Sequence, residues 1–249
     1  MATMIVEAGV IPPFLALPEA LPCIPSPRPE AATARPRQHF MGVDIELAPN
    51  VLSPRAETEI LGLSAIRILV DRGPGQFVID MCCGSGNLAC AVAARLEDTR
   101  IWASDLTEDA VDAARRNAGR LGFTPRVTIA QGDLFAGLDC EQLLGKIDLV
   151  MCNPPYISSG RLSRESAHLL DHEPREAFDG GPYGVSIQQR LIREAPRFLR
   201  PGGWLAFEFG CGQERQVTGL LKRNRGYGVP QFVCDAAGLP RVVLTQKAE

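Results

Sequence analysis

From residue 39 onward, short apolar runs alternate with stretches in which small or apolar residues recur every three or four positions. These are the periods of buried strands and of half-buried helices. The pattern predicts a short extended pair over 39–47, and a helix over 57–70 with Ile60, Leu61, Ser64 and Ile68 on one face. A strand over 77–80 then leads to a helix over 87–96, and a strand over 101–105 to a helix over 108–121. Strands over 127–130 and 147–152, a helix over 185–199 and a strand over 204–209 follow. Two further strands, 231–234 and 241–244, face each other across Gly238-Leu239-Pro240. Strands that alternate with helices in this way imply an α/β fold with a mainly parallel sheet covered on both faces.

The first 38 residues break this rhythm. Pro12, Pro13, Pro18, Pro22, Pro25, Pro27, Pro29 and Pro36 forbid a regular helix there and leave an extended arm. The arm also carries Ile11, Phe14, Leu15, Leu17, Leu21 and Ile24, which suit a strap or lid docked on the domain as well as they suit a loose leader. Two parts are therefore expected: an arm over 1–38 and a catalytic or binding domain over 39–249. With 45% hydrophobic and 22% charged residues in 249, the chain has the composition of a globular protein. A net charge of −3 makes nucleic acid an unlikely partner, since phosphate neutralisation needs a basic surface. Prolines interrupt the apolar residues near the N-terminus and no Lys or Arg precedes them, so neither a signal peptide nor a membrane span is expected. Eight cysteines without a C-x-x-C pair fit a reduced, cytoplasmic setting.

Candidate chemistry gathers at the strand ends. Asp80-Met81-Cys82-Cys83-Gly84-Ser85-Gly86-Asn87 joins a strand to a helix, where small residues let the backbone approach a ligand. Nineteen residues after Gly86, at the end of the next strand, Asp105 can accept both hydroxyls of a ribose. At the end of the third strand, Asp133 can accept from an adenine amino group while Leu134 packs on the ring. The loop lacks a full G-x-G-x-x-G and no G-x-x-x-x-G-K-[ST] occurs, which disfavours a pyrophosphate or triphosphate and favours a phosphate-free nucleoside such as S-adenosylmethionine. After the fourth strand comes Asn153-Pro154-Pro155-Tyr156. The prolines fix the backbone and leave the Asn153 side-chain oxygen and the Pro154 carbonyl as two acceptors for an NH2 group on a planar carbon, with Tyr156 free to stack on that plane.

With these motifs the sequence resembles class I S-adenosylmethionine-dependent methyltransferases, and among them the HemK/PrmC family, which methylates a glutamine side-chain amide in peptide release factors. The resemblance extends to residues 51–59, 173–181 and 201–208. It implies a Rossmann-like fold with a mainly parallel seven-stranded sheet. It implies that Asp80, Cys82, Gly84 and Gly86 line the methionine part of S-adenosyl-L-methionine, Asp105 and Leu106 the ribose, and Asp133 and Leu134 the adenine. Asn153, Pro154 and Tyr156 would hold the nucleophile, with Asn153 also bordering the cofactor, and Pro54, Arg55 and Thr58 would wall the entrance beside it. Positioning for an in-line displacement would supply most of the catalysis.

Two departures bear on the substrate. Cys82 stands where the family usually has its first loop glycine, a change that is tolerated if its dihedrals are ordinary. The proline-rich arm stands where the family has a helical substrate-binding domain. The acceptor is therefore expected to be an amide or amino nitrogen of a protein, a carrier-bound group or a small molecule. One alternative needs S-adenosylmethionine alone: cyclisation to azetidine-2-carboxylate and methylthioadenosine, with Tyr156 or Tyr183 steadying the sulfonium. A second is methylation of a nucleic-acid base amine, for which a stripe of Arg190, Arg193, Arg197 and Arg200 at helical spacing is the local argument. His168 and His172 lack metal-ligand spacing with a Cys or carboxylate partner, and no metal is expected.

Overall fold

The structure is a computed structural model that describes residues 35–138, 140–171 and 173–248. The arm before residue 35, with the strap or lid expected of it, lies outside the described residues, as does His172. The domain opens on a hairpin, β1 (Arg37–Phe40) and β2 (Val43–Glu46), that begins two residues before the expected boundary. Then follow α1 (Thr58–Val70), β3 (Phe77–Met81), α2 (Asn87–Arg95), β4 (Arg100–Asp105), α3 (Glu108–Arg120) and β5 (Val127–Gln131). The chain continues through α4 (Cys140–Leu143), β6 (Ile147–Cys152), α5 (Ser159–Arg164), α6 (Ser186–Glu194), β7 (Leu199–Glu208), α7 (Glu214–Arg223), β8 (Gln231–Cys234) and β9 (Pro240–Gln246).

The seven-stranded sheet has the order β5-β4-β3-β6-β7-β9-β8. Pairs among β5, β4, β3, β6 and β7 are parallel, and β9 pairs antiparallel with β7 and β8. This is the Rossmann-like architecture that the resemblance implied. Every residue of β6 is buried, as a central strand covered on both faces requires. The order reverses between β3 and β6: the chain leaves β3 toward β4 on one side and β6 toward β7 on the other. Loops that diverge from adjacent strand ends open a crevice at the carboxyl edge, and the glycine loop and Asn153-Pro154-Pro155-Tyr156 both rise from it.

Two parts of the scaffold bear on that crevice. Small residues along α2 (Ala89, Ala91, Ala93) are buried against the sheet, and a Cβ on Gly86 would meet the Ala114 Cβ of α3 at 3.0 Å, so the helices close on each other only because Gly86 has none. The hairpin packs Phe40, Val43 and Ile45 into the core. Asn117 of α3 accepts from the Glu46 N–H at 2.8 Å and donates to the carbonyls of Glu46 (3.1 Å) and Ser85 (3.0 Å), tying hairpin and glycine loop together. Gln38 Nε2 in turn donates to the Pro54 carbonyl at 2.7 Å and holds the segment that walls the crevice.

Several predicted bounds shift. The helix expected over 185–199 ends at Glu194 and gives way to a 3-10 turn, Ala195–Arg197, because Pro196 cannot continue the α ladder. Arg197 and Arg200 therefore leave the helix face. Arg200 lies on β7 and pairs with buried Asp148 at 2.5 Å, while Arg190 and Arg193 pair with Glu194. The supposed basic stripe is broken by geometry and largely neutralised by partners. Helix α7 has no counterpart among the predicted elements.

Candidate active site

Six of the expected site residues, Pro54, Arg55, Thr58, Cys82, Gly84 and Asn153, line one cleft at the switch point, where Ser53 and Asn87 join them. Its floor is the glycine loop. Gly84 and Gly86 take φ of 53° and 75°, and a Cβ on Gly84 would project into open space with nothing within 4 Å. Asp105 braces this loop: its Oδ2 accepts from the Gly84 N–H at 2.9 Å, and its Oδ1 accepts from the Thr107 N–H at 3.2 Å.

Cys82 departs from expectation. Its φ is +54°, in the left-handed region, so the family glycine is replaced at a position where a Cβ costs conformational energy. Cysteine tolerates the site because its side chain is unbranched at Cβ. Replacing it by valine is expected to lower stability by about 1–3 kcal/mol, whereas Cys82→Gly stays within about 1 kcal/mol, both read from urea denaturation midpoints at constant m.

Asp80 lies fully buried beneath the loop. Its Oδ2 accepts from the Ala89 N–H in the first turn of α2 at 3.1 Å, and its Oδ1 has no partner. Burial pushes its carboxyl up to about 8, against the pull of the Ala89 hydrogen bond and with the nearby Asp105 charge adding to the rise. The unpaired Asp80 oxygen is an acceptor covered by the glycine turn, and the Asp105 carboxylate at the end of β4 is a second; their chemistry suits the ammonium and hydroxyl groups of an aminoacyl nucleoside. S-adenosylmethionine fits that set.

The outer residues are less uniform. Leu106 is half exposed (53%) and presents an apolar face beside Asp105. Leu134, at φ +53°, is instead buried, with its carbonyl accepting from the Ser104 hydroxyl at 3.2 Å, so it offers little surface to a ring. Both oxygens of Asp133 accept from Arg190 Nη1 at 2.9 Å, and an adenine amino group would have to share that carboxylate with the guanidinium. Tyr183 is 78% exposed, away from the lining of the cleft.

The tetrapeptide is held from behind. Gln213 Nε2 donates to the Tyr156 carbonyl at 2.9 Å, and a Cβ on Gly184 would meet that carbonyl at 2.5 Å, so only glycine permits the approach. The segment 173–181 supplies the remaining support. The Ile157 N–H donates to the Phe178 carbonyl at 2.9 Å, and Asp179 accepts from the Ser159 hydroxyl at 2.6 Å and the Gly181 N–H at 3.0 Å. Glu173 crosses the cleft mouth to accept from the Ser53 N–H at 2.9 Å and to pair with Arg55. Asn153 Nδ2 donates to Thr58 Oγ1 at 3.0 Å. Thr58 Oγ1 donates to Glu208 Oε2 at 2.8 Å, and the Tyr156 hydroxyl donates to Glu208 Oε1 at 3.1 Å. Reading strand ends found Asn153 and Tyr156; it missed Glu173, Gln213 and Glu208 as site residues, because their partners lie on distant elements.

A methyltransferase-domain family model matches residues 73–236. The chain is 37% identical over 210 residues to the release factor glutamine methyltransferase of Gloeobacter violaceus, covering 83% of this chain and 71% of that protein. It is 36% identical over 207 residues to the release factor glutamine methyltransferase of Geobacter sulfurreducens, covering 83% and 69%. The chain belongs to the HemK/PrmC family of methyltransferases. Like the rest of its family it is an S-adenosylmethionine-dependent enzyme. The HemK/PrmC fold is shared more widely: a methyltransferase from Pyrococcus furiosus superposes with a TM-score of 0.59 at 18% identity, over 84% of this chain and 90% of that one. Among the described residues no helix is long and apolar enough to cross a membrane.

Proposed function

We propose that this enzyme methylates the side-chain amide nitrogen of a glutamine in a protein substrate of the release-factor class. The observation that carries the reading is Asn153, which follows directly on buried β6, borders the cleft shared with Gly84 and Pro54, and donates its Nδ2 to Thr58. That leaves Oδ1 as an acceptor, and Pro154 adds a carbonyl without an N–H to compete. A primary amide has two N–H groups for two such acceptors, which would fix its plane and turn one face of the nitrogen toward the cofactor side of the cleft. Tyr156, against that plane, would exclude water and hold the tilt. The relatives above carry the same activity in their names.

When bound, S-adenosylmethionine supplies an electrophilic methyl group on a sulfonium. Asp80, Gly84 and Gly86, with Cys82 at the turn, would receive the methionine end, and Asp105 and Leu106 the ribose. Asp133, shared with Arg190, would border the adenine above buried Leu134, and Pro54, Arg55 and Thr58 would close the entrance. In the transfer the amide nitrogen held by Asn153 and Pro154 would bond to the methyl carbon as the carbon–sulfur bond broke, and a nitrogen-bound proton would pass to water. The products are the N-methyl amide and S-adenosylhomocysteine.

The test is incubation of the purified chain with S-adenosylmethionine and a purified bacterial release factor. One added methyl on a glutamine-bearing peptide and an equal amount of S-adenosylhomocysteine are expected. Methylthioadenosine formed without any acceptor would sink the reading in favour of cyclisation, an alternative the relatives do not support. A protein acceptor of this class implies a cytoplasmic enzyme. We take residues 39–249, together with the hairpin strand that begins at Arg37, as the catalytic domain, and assign the arm before it a part in binding the protein substrate. Deleting 1–34 should weaken binding of the protein substrate, and unchanged affinity and turnover would return the arm to a leader.

A further inference from the structure

Asn153 can accept from a substrate N–H only if its amide is turned the right way. A side-chain amide has nearly the same shape after a flip, yet the flip exchanges an acceptor for two donors. The residues behind Asn153 decide between the two orientations. An ionised carboxylate only accepts, so Glu208 takes the single hydroxyl proton of Thr58 at 2.8 Å. The Thr58 oxygen then has only lone pairs left for Asn153. An N–H must meet them, as Nδ2 does at 3.0 Å, and Oδ1 is turned to the other side. Glu208 and Thr58 are each 2% exposed, so water does not compete for the hydroxyl proton that Thr58 gives to Glu208. The second oxygen of Glu208 is occupied by the Tyr156 hydroxyl, so one buried carboxylate reaches both ends of Asn153-Pro154-Pro155-Tyr156.

We propose that Glu208 is a positioning residue for methyl transfer: through the Thr58 hydroxyl it holds the Asn153 amide with its oxygen toward the substrate nitrogen, and through the Tyr156 hydroxyl it fixes the far side of the tetrapeptide. The role rests on Asn153 being the acceptor proposed above. A protonated Glu208 would donate to Thr58 and release the Thr58 proton toward Asn153. The flipped amide would then be favoured, and N–H would face N–H at the substrate. The groups facing Glu208 are Thr58 and Glu57 at the start of α1, Tyr156 after β6, and Arg241 of β9. Burial and the Glu57 charge favour protonation, while the two hydroxyl donors and Arg241 oppose it.

The experiment compares Glu208→Gln, Thr58→Val, Thr58→Ser and Asn153→Ala with the parent enzyme on S-adenosylmethionine and release factor. It follows the Asn153 side-chain NH2 resonances of the free protein alongside turnover. Glutamine keeps the volume but puts a donor where two acceptors are needed. Glu208→Gln and Thr58→Val are expected to lower kcat by roughly tenfold to hundredfold with cofactor Kd within about twofold. Both should also shift the Asn153 resonances and abolish the slow exchange of the N–H given to Thr58. In Glu208→Gln the acid limb of the kcat profile should disappear, and Thr58→Ser, which keeps the hydroxyl, should restore kcat and the resonances. Parental kcat and resonances in Glu208→Gln would overturn the role. If that variant fails to fold, equal kcat in Thr58→Val and Thr58→Ser would overturn it instead. An inactive Asn153→Ala beside a fully active Glu208→Gln removes the positioning role alone, whereas a fully active Asn153→Ala removes the amide reading itself.

Discussion

Asn153→Ala is expected to lower kcat by roughly 10³-fold, in the range seen when a preorganised hydrogen-bonding group is removed from a reacting centre, while cofactor Kd changes by less than about threefold. The reasoning is differential. Asn153 sits at the edge of the cleft whose floor is formed by Gly84 and Cys83, so most contacts of a bound nucleoside would survive its loss. What disappears is one of the two acceptors that orient the amide for in-line attack, an interaction that gains strength as the nitrogen becomes positive in the transition state. Asn153→Asp should fall between the two, since it keeps an acceptor on the substrate side but replaces the donor to Thr58 with a second acceptor. Steady-state kinetics with release factor and equilibrium dialysis with cofactor measure both quantities. A loss of cofactor affinity equal to the loss of kcat/KM would move Asn153 from the nucleophile to the cofactor.

The residues that could be read from the sequence share one property: each lies at, or just beyond, the carboxyl end of a strand. Asp80, Gly84, Asp105 and Asn153 were placed by counting strand ends, because a parallel sheet delivers its loops to one edge and the switch between β3 and β6 brings two of them together. Glu208 also ends a strand, but its role depends on Thr58 and Tyr156, which are 150 and 52 residues away, and no local pattern encodes that meeting. Glu173 reaches Ser53 across 120 residues for the same reason. Asp133 looked free for a ligand because Arg190, 57 residues on, was read only as part of a helix face. Local signals failed where they were weak or overridden. In α7 only Val217 and Leu221 are buried, too sparse a stripe to distinguish a helix from a loop. Cys82 hid its left-handed backbone because only a structure or a glycine reveals one.

Raising the pH from 6 to 8 is expected to tighten cofactor binding by up to about tenfold per unit and then to level off, because a cationic ligand at Asp80 needs the carboxylate, which exists in quantity only above about 8. The sign for stability is opposite. A carboxyl raised by burial binds its proton more tightly in the folded state than in the unfolded chain. The stability it confers is complete below pH 3.8 and is lost as pH rises toward about 8. The slope through that window is at most about 1.4 kcal/mol per pH unit. Asp80→Asn keeps an acceptor for the Ala89 N–H and removes the charge. It should therefore make the free protein more stable than the parent at pH 8, flatten both pH dependences, and weaken cofactor binding by roughly 10²-fold at pH 8. Calorimetric titration in two buffers of different ionisation enthalpy reads the coupled proton directly: release on binding at pH 7 in the parent, none in Asp80→Asn. Because the same substitution is predicted to stabilise the fold and cripple the site, a variant that lost both would show Asp80 to be structural. One that lost neither would show that the unpaired oxygen under the glycine loop meets no ligand.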